Sequence, residues 1–234
     1  NGNNEHALVV SISHVVADGH TYHQILSMLS PNAAIECLSP VRKLQTFLPM
    51  TNEAIGQEES SFLTSIGLMI NVAMSFLWSR SCGQRTRAVA RFVDHSLVHQ
   101  AKTDAQNRLG KASDEFVCST NDIITSSFGK AVQADFLIMA INLRNRMKYL
   151  ESNDAGNYEA GIPYGPPSFE TPEAIRASLL HGPPYKRTHE EPLPSTISSF
   201  CGFRPTLITN WAFSMFKADL CLADTSGEMT AKLT

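Results

Sequence analysis

The residue types with the most chemical capacity in this chain fall in six consecutive positions, His14-Val15-Val16-Ala17-Asp18-Gly19. An imidazole titrates near ~6.5, so a His held at a strand exit by a glycine-containing turn can take a proton from a hydroxyl or amine at neutral pH. The bland alternative is a core His that is satisfied beside a turn. His20 and His23 follow closely, and with His14 and Asp18 they offer the imidazole and carboxylate groups that hold a metal ion in hydrolases. Against that, both fall on one face of the helix expected to follow and are expected on its solvent side. No G-x-S-x-G, P-loop or G-x-G-x-x-G occurs, so serine-hydrolase and nucleotide-binding chemistry have no motif here.

These groups need elements to position them. Residues 7–12 form a short run rich in β-branched side chains and are expected to be a buried strand ending at Ser13-His14. Tyr22, Ile25, Leu26 and Leu29 then recur at helical spacing, and Ser30-Pro31 closes that helix. Residues 31–60 lack periodicity and are expected to be a long crossover. The apolar stretch 62–78 falls short of the ~20 residues that a bilayer needs and is interrupted by polar groups. It is expected to be a buried or interfacial helix, with membrane association not favoured.

Further along, strands are expected at 88–93, 115–118, 136–142 and 206–211, and helices at 96–108, 123–130 and 172–181. Ser119-Thr120-Asn121-Asp122 supplies N-cap residues for the second of those helices. The proline-rich stretches 163–172 and 183–194 are expected to be exposed loops. Opposed totals of 19 basic and 22 acidic residues, without long like-charged blocks, give no electrostatic footprint for nucleic acid. Five cysteines without a CxxC pair argue against a disulfide framework or a structural zinc site, and point to a reducing, cytoplasmic compartment.

Several of these stretches together resemble one family. His14 to Gly19 is similar to the HxxxD motif of CoA-dependent acyltransferases of the BAHD type, of fungal trichothecene acetyltransferases and of peptide-synthetase condensation domains. FVCSTNDIITSSF at 116–128, INLRNRM at 141–147, Gly156-Asn157 and LITNWAF at 207–213 resemble other stretches of that family in order and spacing. One departure is clear: where the family has D-F-G-W-G, this chain has Asp219-Leu220-Cys221-Leu222-Ala223. A single His at the motif, preceded by Ser13, makes condensation domains a poorer fit.

The resemblance implies an α/β chain of the two-domain chloramphenicol-acetyltransferase-like fold with an incomplete N-terminal domain, residues 1–85 belonging to that domain and its crossover and 86–234 to the C-terminal domain. It implies His14 as the base that activates a hydroxyl or amine acceptor for direct attack on acyl-CoA, a co-substrate; no bound cofactor or metal is expected. Asp18 would turn from the substrate to pair with Arg144, with Gly19 as structural support. Thr209 beside Trp211 would face the tetrahedral oxyanion, and Ser119 and Thr120 would lie near the CoA arm. Read without the family, Thr209 is an ordinary strand residue, Arg144 a solvated loop charge, and Ser119 and Thr120 plain caps. Only thirteen residues precede His14, so the chain is expected to be a piece of a longer enzyme and to show activity at or near background alone. A metal-dependent hydrolase and a non-catalytic relative are the remaining alternatives.

Overall fold

The computed structural model describes residues 9–82, 87–109, 117–189, 191–194 and 205–210. Within them the order is α1 (Gly19–Ser27), α2 (Leu44–Ile55), α3 (Gln57–Leu63), α4 (Ile66–Ser81), α5 (His95–Leu109), α6 (Thr120–Ala131), β1 (Phe136–Asn142), β2 (Glu159–Tyr164), α7 (Pro166–Phe169), α8 (Pro172–Leu179) and β3 (Pro205–Ile208). The described residues divide into two compact units, one from 9–47, 142–159 and residue 210, the other from 48–141 and 160–209. Each unit is therefore drawn from separated stretches, whereas the division expected at 85/86 is a single cut along the chain.

The larger unit is built on β1, whose apolar run Phe136-Leu137-Ile138-Met139-Ala140-Ile141 suits a central strand. The sheet order is β2-β1-β3, with β3 parallel to β1 in the register Phe136↔Pro205 to Met139↔Ile208. β2 carries Pro163, which an edge strand tolerates because one side of its backbone needs no ladder partner. Phe62 from α3, Leu68 from α4 and Phe136 form one core cluster, with the two phenyl rings edge to face at 4.9 Å. Ala105, Cys118 and Ile123 form a second between α5 and α6. Gly129 of α6 lets the helix approach Leu137 and Phe169, since a Cβ there would meet Phe169 at 2.8 Å.

Five expectations change here. Of the strand expected at 7–12, the described residues 9–12 do not join the sheet; 88–93 are not a strand, and neither is 117–118, the described end of the strand expected at 115–118. An apolar run becomes a strand only where a neighbour takes its backbone donors and acceptors. The supposed crossover contains α2 and α3; Pro49 interrupts the pattern of α2, and half of its residues are exposed. The stretch 163–172 is not an exposed loop, since it completes β2 and forms α7, with Tyr164, Ser168 and Phe169 buried.

The smaller unit contains α1 and two irregular segments, 28–43 and 143–158. A parallel bridge joins Ser39 to Asp154, with Ser39 N–H donating to Asn153 O at 2.8 Å and Ala155 N–H to Ser39 O at 2.9 Å. Lys43 Nζ reaches the Asp154 carboxylate and the Tyr149 carbonyl, at 2.7 and 2.6 Å. Phe47 packs edge to face on Tyr158. These contacts hold 143–158 against residues 39–47.

Candidate active site

α1 begins where it does because Asp18 caps it: its Oδ1 accepts from Thr21 N–H and from Thr21 Oγ1, both at 3.0 Å. The same carboxylate is fully enclosed. Arg144 Nη1 donates to Asp18 Oδ2 at 2.7 Å and Nη2 to Oδ1 at 3.2 Å, a bidentate pair whose side chains are 1% and 0% exposed. Tyr158 N–H adds a fifth donor at 3.0 Å. Burial pushes the Asp18 carboxyl up, but the Arg144 bonds, the Thr21 and Tyr158 amides and the Arg144 charge outweigh it and hold the group below its ordinary value.

Arg144 spends its remaining donors on fixed acceptors: Nε on Asp154 O, Nη1 on Asn142 Oδ1, and Nη2 on Thr21 Oγ1 and Gly156 O. Its guanidinium also lies over the Tyr158 ring, 5.1 Å from the centroid. Gly156 is needed at this crossing, because it sits at φ +154° and a Cβ would meet Arg42 and the Tyr158 ring at 2.9 Å. Its carbonyl accepts from Asp18 N–H at 3.1 Å.

The turn that carries His14 is gripped from both sides. Val16 N–H closes it on Ser13 O at 3.0 Å. Asn157 Nδ2 donates to the His14 carbonyl, and Arg42 Nη2 donates to the Val16 carbonyl at 2.8 Å. The backbone of His14 is thus tied to the Gly156-Asn157 segment while its residue remains exposed. His14 lines a recess of about 320 Å³ together with Val10, Ile12, Ala17, Asp18 and Tyr22. Tyr22 Oη donates to Val10 O at 3.3 Å, closing one wall. Glu159, half-buried at the start of β2, belongs to the same neighbourhood; burial and the Asp18 charge push its carboxyl up, against a smaller pull from His14 and Arg144.

Three stretches far apart in sequence therefore meet: 14–19, 142–146 and 156–157. Gly19 opens α1 and is buried. The other candidates lie elsewhere. Ser119 caps α6 in a capping box, accepting from Asp122 N–H at 3.2 Å while the Asp122 carboxylate takes Ser119 N–H at 2.6 Å. A carboxyl group thus already occupies that helix N-terminus, and burial pushes it above its ordinary value. Thr120 is exposed in the first turn. Thr209 follows β3 in the larger unit, and Trp211 and the segment 219–223 lie outside the described residues.

His20 and His23 also differ from expectation. His23 is buried, edge to face on Tyr22, and is not on the solvent side as its spacing suggested. The ring of His20 is hydrogen-bonded to Ser152 O at 3.0 Å. Burial lowers the pKa of both, which favours neutral rings at physiological pH. Among the described residues no three His, Cys, Asp or Glu side chains gather as a metal site. The reason is geometric: both Asp18 oxygens are taken by Arg144 and its neighbours. Sequence reasoning missed Arg42, Thr21, Tyr158 and Glu159; Arg42 sits in an aperiodic segment and acts through a backbone carbonyl, which leaves no pattern to read. No protein-family model, no curated protein and no solved structure matches this chain.

Proposed function

We propose that this chain carries the general-base half of a CoA-dependent acyltransferase, which moves an acyl group from acyl-CoA to a hydroxyl or amine acceptor. The observation that carries the reading is the buried Asp18–Arg144 pair, which turns the motif's carboxylate inward as structure and leaves His14 exposed at the recess. A His and a carboxylate that worked together as a catalytic dyad or on a metal would face each other or a common ion. Here the carboxylate has no free oxygen to offer.

In this reading the His14 imidazole accepts the acceptor's proton as its oxygen or nitrogen attacks the thioester carbonyl carbon. The attack produces a tetrahedral oxyanion, which any nearby hydrogen-bond donor would stabilise. Collapse breaks the carbon–sulfur bond, and the proton on His14 passes to the departing CoA thiolate. Neither a covalent acyl-enzyme nor a metal is required. Arg42 and Asn157 keep the turn in place so that the imidazole needs no reorganisation, and Asp18 with Arg144 fixes the helix that follows.

The test is release of free thiol from a panel of acyl-CoAs, with pooled alcohols and amines as acceptors, by this chain and by longer chains that contain it. The reading expects acceptor-dependent thiol release with transfer of the acyl label to the acceptor. Hydrolysis of esters or amides that a chelator abolishes would instead establish the metal-dependent hydrolase. Binding of acyl-CoA with no turnover in any form would establish a non-catalytic relative.

A further inference from the structure

α4 has a composition that its surroundings do not explain. From Ser60 to Ser79 there is no charged residue, and the stretch Gln57–Ser81 has a mean hydropathy of 1.6 over its most apolar window. Only Gly67, Leu68 and Asn71 of α4 are buried, and Leu68 fixes the first turn of the helix in the core with Phe62 and Phe136. Outside those three positions the helix is apolar and uncovered: Ile66 is 71% exposed, Phe76 67% and Trp78 68%.

The distribution of those side chains decides what could cover them. At about 100° per residue, the exposed apolar side chains of the C-terminal half, from Phe76 through Leu77 and Met74 to Trp78, sweep roughly 200° of the circumference. A packed protein partner needs a stripe of roughly 100°. A medium that surrounds the helix needs an arc of this width. At 16 residues, α4 is about 24 Å long, short of the ~30 Å hydrocarbon core, so it can enter one leaflet without crossing it.

Charge supplies the second observation. Arg80, Arg85, Arg87 and Arg91 follow the apolar segment with no acidic residue before Asp94. Arg80, Arg87 and Arg91 are exposed, and so are Val89 and Phe92 between and beside them. Trp78 stands at the junction of the apolar and basic stretches, where an indole ring favours the headgroup boundary. We propose that the C-terminal half of α4 inserts into a membrane leaflet that carries anionic headgroups, with Arg80, Arg87 and Arg91 at the lipid phosphates. This rests on α4 and its flank alone and is independent of the acyl-transfer reading.

The experiment uses the full 234-residue chain with Trp211→Phe, which leaves Trp78 as the sole tryptophan. It is mixed with vesicles of phosphatidylcholine, with and without phosphatidylserine, and with acyl chains brominated or not. The expected result is cosedimentation with the phosphatidylserine vesicles, weakening as salt rises, and quenching of Trp78 by the brominated chains. Phe76→Glu/Leu77→Glu, both at exposed positions, should lower partitioning about tenfold or more with an unchanged circular-dichroism spectrum. Equal partitioning of that variant would overturn the proposal, as would indifference to phosphatidylserine. A doubled mass by light scattering without lipid, with Trp78 already shielded, would overturn it in favour of a second copy of the chain as the cover.

Discussion

Replacing Arg144 with Met tests the framework of the site directly. The substitution keeps most of the volume and removes six donated hydrogen bonds, two of them to Asp18. Asp18 keeps three donors, from Thr21 N–H, Thr21 Oγ1 and Tyr158 N–H, but loses the Arg144 cation that pairs with it while remaining buried. Breaking one side of such a pair costs about 3–5 kcal/mol, and the loss should fall on the unit that contains α1. Asp18→Asn preserves the helix cap and strands the cation instead, so it should be costly too. The double variant should cost clearly less than the sum of the two, since neither charge then lacks its partner. Urea unfolding gives the total, and amide exchange at Thr21 and Tyr158 reports the site itself. The same amides give the pH dependence. Because folding lowers the Asp18 pKa, its contribution is complete above the unfolded value of ~3.9 and is lost as pH falls through the lower folded value. A loss below about 1 kcal/mol for Arg144→Met, or additive variants, would refute the claim that this pair holds the site together.

Asn157→Ala removes the side-chain donor to the His14 carbonyl; it should cost about 1 kcal/mol of stability and reduce acyl transfer by about tenfold through misplacement of the imidazole, with acyl-CoA binding unchanged by calorimetry. Gly156→Ala should destabilise the same unit by about 1–3 kcal/mol, because its Cβ would press on the Tyr158 ring, and thermal unfolding shows it. Cys118, its thiol pushed up to about 11 chiefly by burial, should resist iodoacetamide at mildly alkaline pH while exposed Cys37 and Cys82 react; peptide mass spectrometry reads each position.

Some of this architecture is legible in the residues and some is not, for physical reasons that can be named. β1 occupies the same residues as its apolar run, 136–142, because a central strand imposes a continuous hydrophobic sequence. α6 is legible through its cap, Ser119 to Asp122. β2 is obscured because an edge position admits Pro163, and 88–93 misleads because β-branched residues mark strand preference without showing that a partner exists. At the site, the 126-residue separation of Asp18 and Arg144 carries no periodicity. Their pairing was expected only through the family resemblance. The grips of Asn157 and Arg42 on backbone carbonyls could not be foreseen at all, since any carbonyl looks alike in sequence. His23 shows the converse error: helical spacing placed it outward, but the fold covers that face.

The most direct measurement of the central claim is acyl transfer by His14→Ala, made in the shortest chain containing these residues that turns over acyl-CoA, with acyl-CoA affinity measured on the same sample. The account predicts a loss of roughly two to four orders of magnitude in turnover with affinity little changed, as for removal of a positioned general base. Retained turnover in that variant would contradict it, whatever the state of the Asp18–Arg144 pair.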